Sequence, residues 1–83
     1  MKREKHKLIS IKEINEEYDL SLSTLNYYND LDLLRVTARD GNKRLYDEQD
    51  VKARVEKIKE LQQQGYPLRL IKKEIRTLFD DED

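Results

Sequence analysis

Cysteine is absent from this sequence, and glycine occurs only twice. Without cysteine there is no disulfide, thiol nucleophile or cysteine metal ligand, which fits a reducing cytosol. His6 is the only histidine, so a metal site would need several carboxylates around it. Two isolated glycines exclude a glycine-rich phosphate loop, and no base stands beside a nucleophile in a recognisable pattern. We therefore expect no enzyme, no cofactor, no metal and a cytoplasmic location.

Long apolar runs are absent as well. No run approaches the ~18 residues that a membrane-spanning helix needs, so we expect no membrane partner. The basic opening, residues 1–7, is not followed by an apolar segment, which excludes a signal-peptide pattern. We predict that residues 1–7 form a flexible basic arm.

Charge is what the sequence has in abundance. The 83 residues are 42% charged and 36% hydrophobic, which allows one domain with a modest core, predicted over residues 8–79. The net charge is -1. Residues 80–83 form an acidic tail, and the rest of the chain has 17 basic and 14 acidic residues, a net charge of +3. A block of like charge is typical of a solvated end, although a DNA-mimicking or self-inhibiting tail is the alternative.

A first short helix is predicted near the start of the domain. Ser10 and Glu13 form a capping box, so the helix begins at residue 11 and ends near residue 17 or 18. Asp19 suits a left-handed turn after it.

A second short helix is predicted over residues 22–30, with Ser21 as its cap. Leu25 and Tyr28 would face the core, and the outward-facing residues would be Ser23, Thr24, Asn26 and Tyr27. Tyr27 and Tyr28 cannot both face the core, so one packs and the other offers its hydroxyl to a phosphate. Two short helices joined by about three residues are typical of a helix-turn-helix, although any helical corner gives a similar pattern.

Residues 35–46 predict a hairpin wing. Asp40-Gly41 is a strong turn signal between β-branched residues and a basic, aromatic return. A lone hairpin is marginal in water, so we expect Leu45 and Tyr46 to pack on the helices. The wing and its flank carry four cations, which favour contact with DNA phosphates over a solvated loop: Arg35, Arg39, Lys43 and Arg44.

Two further helices complete the predicted domain. Asp47 caps a third helix that runs to residue 64 and stops at Gly65, and Pro67 opens a fourth. The predicted inner faces consist of Val51, Val55, Ile58, Leu61, Leu68, Ile71 and Ile75. We interpret the outer basic residues as a solvated face, namely Lys52, Arg54, Lys57, Lys72, Lys73 and Arg76. Tyr46 and Tyr66 are predicted to pack in the core.

Several of these segments resemble the amino-terminal domain of MerR-type regulators. They are Ser10 to Ile14, Leu20 to Leu34, Arg44 to Tyr46, Asp50-Val51, Ile58-Lys59, Gly65-Tyr66 and the Leu68 to Ile71 spacing. The resemblance implies a mainly α winged helix-turn-helix fold, with four helices and a short two-stranded wing. It also implies that the second helix enters the major groove while the wing and the neighbouring helix grip the backbone.

The resemblance assigns contacts residue by residue. It places Ser23, Thr24, Asn26 and Tyr27 in the groove with Tyr28 at its edge, Arg44 at the family's wing arginine, and Lys59 near the phosphates. With the cap and the wing cations, the predicted DNA-binding set is Ser21, Ser23, Thr24, Asn26, Tyr27, Tyr28, Arg35, Arg39, Lys43, Arg44 and Lys59.

The sequence departs from the family at Ser23, usually Arg or Lys, and at Asn26, usually Arg. The missing charges weaken phosphate binding, whereas Asn26 can still pair with adenine N6 and N7. The family continues into a dimerisation helix and often an effector domain. The given sequence stops at the fourth helix, so the resemblance implies the amino-terminal module alone or a truncated chain.

The leading hypothesis is sequence-dependent binding of double-stranded DNA by a nucleoid-associated transcriptional regulator. One alternative is an architectural or excisionase-type DNA-binding protein of a phage or mobile element. Another is a protein-interaction module that reuses the fold, suggested by the acidic tail and by Glu13, Glu16 and Glu17. The expected partners are DNA and, beyond it, RNA polymerase or another regulator, with a monomer or weak homodimer in the free state.

Overall fold

The structure is a computed structural model that describes residues 7–80 of the chain. Its elements are, in chain order, β1 (Leu8–Ser10), α1 (Ile11–Tyr18), α2 (Leu22–Asp30), β2 (Ala38–Asp40), β3 (Lys43–Asp47), α3 (Glu48–Gln63), α4 (Leu68–Ile75) and a π-helical turn (Arg76–Asp80). These helices and the small sheet confirm the predicted winged helix-turn-helix class. Apart from Lys7, the predicted arm lies outside the described residues, as do residues 81–83. Within residues 7–80 every helix is too short or too polar to cross a bilayer.

The first two helices begin at the caps that the sequence predicts. The Ser10 hydroxyl oxygen accepts from the Glu13 N–H at 3.3 Å, and the Glu13 carboxylate accepts from the Ser10 N–H at 2.8 Å. Asp19 ends α1 in the left-handed conformation, with φ 57°. Ser21 caps α2 by accepting from the Thr24 N–H at 3.0 Å. The short connection between the two helices confirms the predicted helix-turn-helix.

The wing is the hairpin of β2 and β3, and a third strand extends it. Gly41 takes φ 65° in the turn, which costs glycine little. On its other edge β3 pairs with β1 antiparallel, with Ile9 opposite Tyr46. Strand β1 has three residues, too few to show the alternation by which a strand is recognised in sequence. Because β1 ends at Ser10, the residue that caps α1, the strand fixes the first turn of α1 against the wing.

The core lies between the two carboxyl-terminal helices, the first two helices and β3. The inner faces of α3 and α4 are buried as predicted, at Val51, Val55, Ile58, Leu61, Ile71 and Ile75. Tyr46 is fully buried, as predicted. The prediction for Tyr66 is wrong, because its side chain is 37% exposed. Its backbone N–H donates to the Leu61 carbonyl at 3.0 Å, so this residue completes the end of α3 while its ring stays at the surface.

Arg54 is the largest departure from the predicted surface. Its side chain is 1% exposed, so the prediction of a solvated position on α3 is wrong. Arg54 follows Val51 by three residues and precedes Ile58 by four, which places it on the buried face of the helix. A charge in this position requires partners, because burial of an unpaired ion is very costly.

The guanidinium of Arg54 has hydrogen-bond partners in three parts of the chain. The Arg54 guanidinium donates to Asp50 at 3.0 Å, to Asp80 at 3.1 and 2.5 Å, and to the Leu33 carbonyl at 3.4 Å. Its terminal carbon also lies 5.1 Å from the centre of the Phe79 ring. Asp80 therefore belongs to the folded domain and not to a solvated tail, which corrects the predicted boundary at this residue.

Candidate nucleic-acid interface

One face of α2 is open to solvent. Leu25 is buried, whereas the exposed residues of the helix include Ser23, Asn26 and Tyr27, as predicted. Thr24 is half-buried, and its hydroxyl oxygen accepts from the Ser21 hydroxyl at 2.9 Å. Ser21 and Thr24 thus fix the start of α2, and the residues after them present the exposed face.

Tyr28 does not belong to that exposed face. Its side chain is 4% exposed and belongs to the hydrophobic core, as Leu25 does. Burial raises the pKa of the Tyr28 hydroxyl above its ordinary value. This position agrees with the predicted core-facing role of Tyr28, whereas its predicted place at the edge of the DNA contact remains a prediction. Of the adjacent pair, Tyr27 is the exposed member, at 50%.

Asn29 connects α2 to the wing, a role that the sequence analysis missed. Its amide nitrogen donates to the Leu25 carbonyl at 3.2 Å, and its amide oxygen accepts from the Tyr46 hydroxyl at 3.2 Å. Because Tyr46 lies in β3, this bridge fixes the position of the wing relative to α2. An isolated Asn in a helix gives no signal of such a partner 17 residues away.

A groove of about 480 Å³ lies between α2, the wing and the start of α1. We call it the helix–wing groove, and its lining consists of Ser10, Ile11, Lys12, Asn26, Asn42, Lys43, Arg44 and Tyr46. It brings together Asn26 from α2 with Lys43 and Arg44 from the wing, three of the predicted contact residues. All of its charged lining residues are basic, so its walls have a single sign of charge.

Lys12 and Asn42 also line this groove, although neither belongs to the predicted set. Lys12 reaches the groove because β1 brings the first turn of α1 against β3. Without that strand, the sequence contains no signal that connects Lys12 with the wing.

A second cleft, of about 660 Å³, lies between the wing and α4. Its basic lining residues are Arg35, Arg39, Arg44, Lys72 and Arg76, and its acidic ones are Asp30, Asp32 and Asp80. Arg35 lies 3.5 Å from the carboxylate of Asp80, so it already has an anionic partner. The mixed charge of this cleft makes it a weaker candidate for a polyanion than the helix–wing groove. Arg44 lines both.

The remaining predicted contacts lie elsewhere on the surface. Lys59 is exposed on α3 and lines neither the groove nor the cleft. Ser21, Ser23, Thr24 and Tyr27 likewise stand outside both linings, on α2 and its cap.

The wing places like charges opposite each other. In the β2–β3 register Arg39 faces Arg44, and Asp40 faces Lys43. Like charges directly opposite on a hairpin destabilise it. The Arg39–Arg44 pair therefore weakens the free wing, whereas a bound anion would relieve the repulsion.

A two-helix motif with an exposed second helix beside a cationic hairpin defines a winged helix-turn-helix DNA-binding domain. The family model described as "MerR HTH family regulatory protein" matches residues 9–78, and the chain belongs to this family. Comparison with curated proteins and with solved structures gave no match. Membership confirms the resemblance seen in the motifs and assigns the chain to a family of DNA-binding regulators, which is not a family of enzymes.

Proposed function

We propose that this protein binds double-stranded DNA in a sequence-dependent manner as a regulator of transcription, with α2 in the major groove and the wing on the backbone. The observation that supports this proposal is the groove shared by Asn26, Lys43 and Arg44. The major groove of DNA is ~12 Å wide and admits an α-helix. Because α2 and the wing line one groove of the protein, a duplex that receives α2 lies within reach of the wing.

Asn26 is the proposed base-reading residue. It is exposed, and its side chain makes no hydrogen bond within residues 7–80, in contrast to Asn29. A free carboxamide can donate to adenine N7 and accept from adenine N6 at once. We therefore expect a preference for adenine at the position that Asn26 faces.

Lys43 and Arg44 are the proposed backbone contacts. Both are exposed, and neither has an ion-pair partner among the described residues. Contacts with phosphates position a protein on DNA without reading its sequence. Their charges would thus supply affinity while Asn26 supplies preference.

The test begins with selection of duplexes from a random pool, followed by fluorescence anisotropy titrations between 50 and 200 mM salt. Arg44→Ala should weaken binding to selected and scrambled duplexes alike and reduce the salt slope by about 0.9. Asn26→Ala should reduce discrimination at one base pair by about 1–3 kcal/mol and leave the slope unchanged. Lys73→Ala is the control, because Lys73 is exposed and lines neither the groove nor the cleft.

Two results would contradict the proposal. One is wild-type protein that shows no sequence preference, and the other is unchanged binding by both Asn26→Ala and Arg44→Ala. Absence of DNA binding even at low salt would favour a protein-interaction module.

We further propose a free monomer or weak homodimer that contacts RNA polymerase or another regulator on DNA. Sedimentation of the free and bound protein measures the stoichiometry. Inverted half-sites one helical turn apart would support a dimeric regulator, since site symmetry mirrors protein symmetry. Head-to-tail loading on direct repeats would favour the architectural role instead.

A further inference from the structure

Helix α2 contributes no positive charge of its own. The nine residues of α2 include no Lys or Arg, and Asp30 is the only charged one. Affinity for DNA depends on cations that neutralise phosphates. Any such cations near α2 must therefore come from neighbouring elements.

In the helix–wing groove they come from two elements. Lys43 and Arg44 belong to the wing, and Lys12 belongs to α1, where it is the only basic residue beside three glutamates. Those glutamates do not line the groove. Lys12, the single cation of α1, therefore lines the same groove as Asn26 and the two wing cations.

The Lys12 side chain is available to a ligand. It is exposed and has no carboxylate within 4 Å among the described residues. The adjacent carboxylate, Glu13, is engaged by the backbone N–H of Ser10 in the capping box. A lysine ammonium on a flexible stem suits a phosphate, which requires charge more than a fixed geometry.

We infer that Lys12 is a phosphate-contacting residue of the DNA interface, contributed by α1 to the groove that Lys43 and Arg44 also line. This inference rests on the proposed function, because it assigns a further contact to the same groove. The duplex backbone would then be held by cations of two elements, α1 and the wing, while Asn26 of α2 reads the base edges. Lys12 would thus contribute affinity that is independent of sequence and depends on salt.

The experiment compares Lys12→Ala, Lys12→Arg and the Lys73→Ala control in the full chain, on one selected duplex and one scrambled duplex. Lys12→Ala should weaken binding to both duplexes equally and reduce the salt slope by about 0.9. The ratio of its Kd to the wild-type Kd should therefore fall about 3.5-fold between 50 and 200 mM salt. Lys12→Arg should retain the wild-type slope, and Lys73→Ala should retain both slope and affinity.

The slope separates a phosphate contact from a structural role. The inference is wrong if Lys12→Ala weakens binding without changing the salt slope. It is also wrong if Lys12→Ala changes the affinity no more than Lys73→Ala does. If Arg44→Ala and Asn26→Ala behave as proposed in that experiment, the proposed function stands without Lys12. If the wild-type chain does not bind DNA, both fail together.

Discussion

Arg54 of α3 and Asp80 at the end of the π-helical turn are joined by two hydrogen bonds, of 3.1 and 2.5 Å. Burial alone would lower the pKa of Arg54, but the hydrogen bonds and charges of Asp80 and Asp50 outweigh it and raise that pKa. The guanidinium therefore stays charged inside the domain. Asp80 also lies 3.5 Å from Arg35, so one carboxylate connects the last turn of the fold to α3 and to the segment before the wing.

Arg54→Ala should lower the free energy of unfolding by about 3 kcal/mol, because it leaves two partly buried carboxylates without their cation. For a domain of this size, such a loss lowers Tm by on the order of 15 °C. The matched control is Lys57→Ala on the same helix, whose partner Glu60 is exposed. A surface pair of this kind contributes at most about 1 kcal/mol. Equal losses in the two variants, measured by urea denaturation, would refute the structural role of Arg54.

The Asp80 carboxylate should make stability depend on acid pH. The hydrogen bond from Arg54 is the main reason that the pKa of Asp80 lies below its ordinary value of 3.8, despite partial burial. A lowered pKa means that the stabilisation is complete above the unfolded-state value and is lost as the pH falls through the folded-state value. Asp80→Asn should therefore be less stable than wild type at pH 7, and the difference should diminish below about pH 4. If the difference in free energy of unfolding between wild type and Asp80→Asn stays constant between pH 7 and pH 3, this linkage is contradicted.

What could be predicted from the sequence was local. The caps at Ser10 and Ser21, the turn at Gly41 and the helical spacing of apolar residues determine structure over a few positions, and the structure confirms each. The pairing of β1 with β3 is not local, since Ile9 finds its partner at Tyr46.

The missed features of the site have the same origin. Lys12 reaches the groove only through β1, and Asn29 acquires its role only through Tyr46. Arginine is almost never buried unless it is paired, and the partner that allows burial of Arg54, Asp80, is 26 residues away in the sequence. A single sequence contains no measure of such pairings.

The wing should show a trade-off between stability and binding. Arg39→Gln removes the repulsion with Arg44 across the hairpin and should raise the free energy of unfolding by a few tenths of a kcal/mol. If Arg39 contacts a phosphate, the same change should weaken DNA binding and reduce the salt slope by about 0.9. Lys43→Gln is the informative comparison, because Lys43 faces Asp40 and its loss should lower stability. Should Arg39→Gln destabilise the domain instead, the repulsion is not significant in the folded hairpin.

The Asn29–Tyr46 hydrogen bond should determine how the wing stands relative to α2. Tyr46→Phe and Asn29→Ala should each lower the free energy of unfolding by about 1 kcal/mol, since each removes one partner of a partly buried bond. The double variant should lose about 0.5–1.5 kcal/mol less than the sum of the two single losses, which is the coupling expected of groups in contact. Additive losses would show that the bond contributes nothing.

The same pair offers a test of the interface that removes no cation. If the bond holds Lys43 and Arg44 at the correct distance from Asn26, Tyr46→Phe should weaken DNA binding several-fold at every salt concentration and leave the salt slope unchanged, because no charge is removed. Tyr66→Phe is the matched control, since this exposed tyrosine lines neither the groove nor the cleft. Wild-type affinity in Tyr46→Phe, at a temperature where the variant is folded, would mean that the wing keeps its position without this bond.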